Sequence, residues 1–335
     1  MRRIVGLVLI ALGVALIALA IALPTYVYPR VAKVPVDPNS YLRAEGTGIT
    51  VLVPRSIEDG GTQIYTDQVV VNERRVRGEL RDGAPAPAEG EAFYRVEFRV
   101  DVKGKGLLQA YVEGAGFDAD TGLANNKGGD YLITDPTDEV GQSIEHEGII
   151  FKFPFGVERK DYPFWDVNIK QAMTARFDGT EKIKGLQTYR FVQNIPDTVI
   201  GQQEVPGPLI GIPDQPSVTA DRVYATVRTL WVEPYTGAII KGQEQVNQRL
   251  IANGKTAPII FGKLGWDDAT VQRNVDEYGE SASGLRFVTR IGPIGGWILG
   301  PIFLLVGLTL LAVSRRRDYE DEWDDEEDET HYQTV

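Results

Sequence analysis

The sequence predicts an α+β membrane-anchored protein, with a large and mainly antiparallel β domain between an N-terminal and a C-terminal transmembrane helix. The β part is expected as one sheet or as two half-barrel-like sheets. Three observations predict this arrangement. Two uncharged apolar stretches, Ile4 to Leu23 and Ile291 to Val313, lie near the two ends of the chain. Basic residues flank both stretches on the sides facing away from the central domain. Between them, apolar residues recur at every second position through several segments, the period of a half-buried strand.

The first apolar stretch holds twenty residues, and at a helical rise of 1.5 Å per residue it covers roughly 30 Å, the thickness of a bilayer's hydrocarbon core. The second is of similar length. Arg2 and Arg3 precede the first helix and Arg315, Arg316 and Arg317 follow the second. Positive charge favours the cytoplasmic side. Residues 1–3 and 314–335 are therefore expected in the cytoplasm and residues 24–290 outside, in a two-pass plasma-membrane topology. A cleaved signal peptide competes for the first stretch, since Arg2-Arg3 and Ala20-Ile21-Ala22 resemble its flanks, but its apolar core is long for that role. Gly292, Gly296 and Gly300 in the second helix, and Ala11, Ala15, Ala18 and Ala22 in the first, form small-residue stripes. Such stripes let backbones approach, either between the two helices or in a homodimer. Pro293 and Pro301 interrupt the second helix. Neither span carries a charge at depth of the sort that marks an ion pathway.

In the central domain the cleanest strand is 92–102, with Tyr94, Val96, Phe98, Val100 and Val102 on one face and Arg95, Glu97, Arg99 and Asp101 on the other. The same period groups Met173, Ala175 and Phe177, and also Val223, Ala225, Val227 and Trp231. Further strands are expected near 48–54, 68–80, 106–113, 149–153, 183–193 and 238–249. Asp178-Gly179-Thr180 and Pro234-Tyr235-Thr236-Gly237 read as hairpin turns. Residues 81–91 read as a flexible insertion. Residues 196–216 combine five prolines with Val199, Ile200, Leu209, Ile210 and Ile212, a composition that suits a loop laid over the core, or a lid. Val271, Val275, Tyr278, Ala282 and Leu285 follow a helical period after Asp267 or Asp268, which predicts a capped stalk helix over about 267–290.

Formal charge is −12, and it is unevenly spread. Ten acids crowd residues 318–329, so residues 314–335 read as an acidic tail too polar to fold alone. This tail is either a solvating end or a docking strip for a basic cytoplasmic protein, with Tyr319, Trp323 and Tyr332 as anchors. No outer segment concentrates Lys and Arg, so no nucleic-acid partner is expected. The chain has no cysteine, which excludes disulfides and thiolate metal sites. With only His146 and His331, a histidine triad or a multi-histidine metal site cannot be built from one chain. Glu145-His146-Glu147 reads as a solvated polar turn rather than a metal site. No phosphate-cradling glycine loop is present. No enzyme, cofactor or metal is expected, although pairs of carboxylates brought together by folding are invisible in a sequence.

Four segments in order carry a resemblance to a known family: Gly148-Ile149-Ile150-Phe151-Lys152-Phe153-Pro154-Phe155-Gly156, Tyr162-Pro163-Phe164-Trp165-Asp166, Gly185-Leu186-Gln187-Thr188-Tyr189-Arg190-Phe191 and Trp231-Val232-Glu233-Pro234-Tyr235-Thr236-Gly237. Together with the terminal helices they resemble actinobacterial membrane proteins labelled PorA-like porins. The resemblance covers nearly the whole chain and implies a cell-envelope location. The porin label sits badly with spans that are α-helices rather than strands. Over residues 179–245 the chain is also similar to the lipoprotein-carrier half-barrels of the LolA/RseB type, which implies a curved sheet that cups an acyl chain.

The leading expectation is thus a non-enzymatic envelope protein whose outer domain binds or presents a hydrophobic, lipid-like ligand. Tyr189, Phe191, Trp231, Leu209, Ile210 and Ile212 are the candidate lining residues. Two alternatives accompany it: an adaptor that links an outer contact to the acidic tail, and an oligomeric porin-like channel.

Overall fold

The computed structural model describes residues 2–54, 61–80, 83–135, 137–138 and 140–331, with side chains described to residue 315. The chain divides into two compact units, one made of Met1–Ala32 and Ser283–Val335 and the other of Lys33–Ala282.

In the first unit, helix α1 (Arg2–Ala22) continues through a π-helical turn (Leu23–Val27) into the short α2 (Tyr28–Val31). A second helical run starts as α3 (Asp268–Arg286), widens into a π-turn (Phe287–Ile291) and continues as α4 (Gly292–His331). Arg2–Val31 and Asp268–Arg315 are each long and apolar enough to cross a membrane. α1 and α4 pack antiparallel along a seam of small residues. A Cβ on Gly13 would come 2.8 Å from the Gly300 carbonyl oxygen, and one on Gly307 would come 2.7 Å from that of Gly6. One on Gly296 would come 2.7 Å from the Ala20 Cβ. The seam in α1 is Gly6, Gly13 and Ala20, which recur every seven residues and are buried, whereas Ala11, Ala15 and Ala18 of the expected stripe are exposed. A seven-residue period keeps one face toward a partner helix, and glycine permits the closest approach. α4 runs on through the acidic segment to His331, where composition predicts a disordered tail; residues 332–335 and the tail's side chains lie outside the described residues.

The second unit is one twelve-stranded sheet rather than two. In chain order its strands are β1 (Asn39–Val53), β2 (Gln63–Arg77), β3 (Glu91–Val102), β4 (Gly106–Asp118), β5 (Tyr131–Ile133), β6 (Gln142–Ser143), β7 (Tyr162–Asp166), β8 (Gln171–Ile183), β9 (Leu186–Pro206), β10 (Ser217–Val232), β11 (Ile239–Ala252) and β12 (Lys255–Trp266). Spatial order is β6-β5-β4-β3-β2-β1-β12-β11-β10-β9-β8-β7, and every strand pairing in it is antiparallel. Pairing of β1 with β12 welds the two meanders into one sheet. Single bridges then join its far sides: Phe117 of β4 to Ala124, Leu123 to Ile149, and Ile149 to Phe164 of β7. The sheet therefore curls into a closed ring, a barrel whose interior faces are buried together.

Several local expectations change. Residues 149–153 form no strand; Ile149 supplies only the closing bridges. Asp178-Gly179-Thr180 is a bulge within β8, where the register with β9 shifts between Phe177 and Thr180. The hairpin lies further on, at Lys184 and Gly185, both at positive φ (45° and 90°), the backbone that a two-residue type I′ turn requires. Much of 196–216 is strand. Pro196 fits because β9 loses its β8 neighbour after Gln193 and because the pairing with β10 shifts register around it, a site where a missing N–H costs no ladder bond. The remainder forms a 3₁₀ turn (Gly207–Ile210) that lays Leu209, Ile210 and Ile212 on Leu52, Val205, Val218 and Leu250. α3 follows the expected cap, with Asp267 Oδ1 accepting from the Thr270 amide at 2.8 Å. Its Val271, Val275 and Tyr278 pack on Ile183, Trp231 and Ile240, on the outer side of the sheet.

Candidate functional site

Alternation along the strands turns one residue in two toward the inside of the barrel, and those residues surround a cavity of about 190 Å³. Phe98 and Val100 of β3, the core face expected from sequence, form part of its wall, with Leu230 of β10, Val246 of β11 and Ile260 and Leu264 of β12. The interior is not purely apolar. Arg228 of β10 donates to Asp166 Oδ2 at 2.7 Å, to Glu244 Oε1 at 3.0 Å and to Gln193 Oε1 at 2.8 Å. The Tyr224 hydroxyl reaches Glu244 at 3.0 Å and Asp166 at 3.2 Å. Thr226 adds a bond to Glu244 at 2.9 Å. Burial alone would lower the Arg228 pKa; the charges of Glu244 and Asp166 more than reverse this and hold it well above its ordinary value. Burial, then Glu244 and Asp166, likewise push the Tyr224 hydroxyl up. Both side chains thus stay protonated, and the network ties β7, β9, β10 and β11 together inside the barrel.

A second network sits beside it. His146 is buried, with Nδ1 2.8 Å from Asp130 and Nε2 3.2 Å from Glu113, and Trp165 Nε1 donates to Glu113 at 2.8 Å. This replaces the solvated turn expected around His146: Glu145 and Glu147 point outward while the imidazole turns in. Desolvation would lower its pKa, but the hydrogen bonds to Asp130 and Glu113 and their charges raise it to about 9. An imidazolium between two carboxylates offers no lone pair to a metal, and its bonds clamp β4 and the segments before β5 and β7 together, with Trp165 of β7 on the same carboxylate.

The six residues singled out for a lipid-like ligand fall in three separate places. Phe191 is fully buried and stacks on Phe153 at 4.7 Å, with Tyr189 packed on the same cluster. Trp231 lies on the outer face under α3 and donates to Glu181 at 2.7 Å. Leu209, Ile210 and Ile212 belong to the cluster under the 3₁₀ turn. None of them lines the cavity. Conversely, Arg74, Tyr111, Asp166, Arg228 and Glu244 line it and were not marked by sequence. The signal available was phase: Tyr224, Thr226 and Arg228 alternate with Val223, Ala225 and Val227, and the apolar set is the one that faces outward.

The barrel's exterior also defines what it is not. On β2 and β3 the outward residues form ion pairs, across the strands with Arg77 3.9 Å from Glu97 and Arg99 4.0 Å from Glu73, and along β3 with Arg95 3.4 Å from Glu97. A lipid-facing barrel needs an apolar outer band there. The molecule is therefore of the class that combines an antiparallel barrel, with charged outward pairs on β2 and β3, and two helical runs long and apolar enough to cross a membrane.

Within that class the family is identified by comparison. The family model described as Porin PorA matches residues 5–309, and the chain belongs to this family. A protein named Porin PorA from Corynebacterium amycolatum is 23% identical, over 94% of this chain and 98% of its own length. Another of the same name from Corynebacterium resistens is 23% identical, over 95% of this chain and 98% of its own.

Proposed function

We propose that the chain is a porin-type protein of the cell envelope that forms its pore as an assembly of several copies, each held by the helix pair with the barrel outside and both ends of the chain cytoplasmic. The observation that carries this reading is the family match, which takes in both helices and the barrel and leads to relatives named as porins. It favours a channel over an enzyme. The Arg228 network occupies part of the barrel's lumen, and the ion pairs outside β2 and β3 argue against a lipid-facing barrel. Each copy supplies two membrane-length helices, packed on each other with only Trp297 and Thr309 carrying hydrogen-bonding side chains between Ile4 and Leu23 and between Ile291 and Val313, and two packed helices enclose no aqueous path. The antiparallel seam supports the orientation because it brings Arg2, Arg3 and Arg315 to one end of the helix pair. A lipid-like ligand at the six residues named above has less support, since they occupy separate packed clusters.

The test is conductance. Purified full-length protein added to planar bilayers should give steady steps of uniform size. Silent bilayers, with insertion demonstrated by flotation of the same preparation on liposomes, would overturn the channel reading.

A further inference from the structure

We propose that the barrel lumen is a binding site for a small organic anion, a monocarboxylate with an apolar body, whose head is taken by Arg74. One corner of the cavity wall gathers polar side chains from two strands. Arg74 and Asn72 of β2 and Tyr111 and Gln109 of β4 sit on either side of β3, in register through Phe98 and Val100 respectively. All four line the cavity. Among the described residues none of these side chains has a hydrogen-bonding or ion-pairing partner, and the Arg74 Nε is buried without one. The other three side chains are part-buried, and a buried guanidinium nitrogen without a partner is uncommon in an interior.

Other charges in the same cavity are matched. Asp166 and Glu244 are held by Arg228, and Glu113 by Trp165 and His146. Arg74 is thus the cation left to a ligand, and a planar fork beside two amides and a phenol hydroxyl suits a carboxylate, which accepts two parallel N–H bonds and further donors around them. Burial, followed by the Glu113 charge, keeps the Tyr111 hydroxyl protonated and able to donate. The remaining wall sets the body of the ligand. Phe98 stacks on Tyr111 at 4.6 Å, and Leu264 continues an apolar surface on β12. A void of about 150 Å³ suffices for a benzene ring, so a cavity of about 190 Å³ takes a ring or short chain with its carboxylate. The site is independent of whether the assembled protein conducts.

Trp165 and Trp266 border the cavity, which makes tryptophan fluorescence of the full-length protein in an uncharged detergent the direct readout. Benzoate and octanoate should change it saturably at millimolar concentration or below, whereas toluene and benzylamine should not. Arg74→Gln should weaken benzoate binding about tenfold or more, and Arg74→Lys less, because a charge is kept but the fork is lost. No saturable response to either acid, an undiminished response in Arg74→Gln, or equal binding of toluene would overturn the proposal. If Arg74→Gln fails to fold by circular dichroism, the double variant Gln109→Leu, Tyr111→Phe decides: weaker benzoate binding supports the site, and unchanged affinity in the folded double variant overturns it.

Discussion

His146 is charged below about pH 9 because Asp130 and Glu113 both hydrogen-bond its ring in the wall of the barrel. The sign of the pH dependence follows from this. Its folded pKa lies above the ordinary 6.5, so its contribution is complete below about pH 6.5 and is lost as pH rises through about 9. A shift of that size corresponds to at most about 3 kcal/mol. Lys152 works in the opposite sense. Its ammonium bonds the Ala119 carbonyl at 3.2 Å and lies 3.6 Å over the Phe155 ring, and burial, against the pull of Asp120 and Asp118, lowers its pKa to about 7. Its share of stability therefore rises with pH above about 7. The two slopes are separated by comparing the wild type with His146→Gln: thermal melts between pH 6 and 9.5 should show a decline in the wild type relative to the variant. Parallel curves would mean that the clamp carries no proton. This site was illegible in the sequence because the partners of His146 stand 16 and 33 residues away along the chain, and their carboxylates look like any others until the barrel closes.

At the level of elements, local chemistry was readable where it alone decides the structure. β3 alternates as expected, the Asp267 cap starts α3, and Pro234 to Gly237 turns the chain between β10 and β11. Where a neighbour decides, it was not. Nothing local distinguishes the Gly179 bulge from a hairpin turn; the β9 register does. The Asn253-Gly254 pair, with φ of 50° and 73°, makes a type I′ turn that β12 depends on, and this dipeptide could have been read from sequence by the same rule. The small-residue stripes were recognised as contact faces, but a helix rich in Ala and Gly offers more than one such face, and only the partner selects Gly6, Gly13 and Ala20. Since the protein has no native cysteine, the seam is directly testable. Ala20→Cys combined with Gly296→Cys should oxidise to an intramolecular disulfide in membranes, visible as a shift on non-reducing gels, whereas Ala15→Cys with Gly296→Cys should not. Equal cross-linking of both pairs, or bands only at twice the mass, would mean that the seam joins separate copies instead.

For the whole molecule, the sequence conveyed that two apolar helices flank a β domain, and it left open whether that domain was one sheet or two. The pairing of β1 with β12, and the bridges through Leu123, Ala124 and Ile149, are contacts between segments far apart in sequence, for which one chain offers no pattern. Closure has a consequence for the membrane. Joining the ends covers part of the sheet's edges, although β9 beyond Gln193 keeps a neighbour on one side only, and the ion pairs outside β2 and β3 disfavour entry of that face into lipid. In the proposed topology the barrel stands on one side of the bilayer, and the arginines at the ends of the helix pair select which. Placing all three arginines of the Arg315 to Arg317 cluster in the cytoplasm leaves the barrel outside. Single cysteines at Asn253, in the β11–β12 turn, and at Arg315 report this directly. In intact cells stripped of their wall, a membrane-impermeant maleimide should label Asn253→Cys and should reach Arg315→Cys only after permeabilisation. The reverse pattern would put the barrel in the cytoplasm, where it could not serve an envelope pore, and the proposed function would fall with the topology.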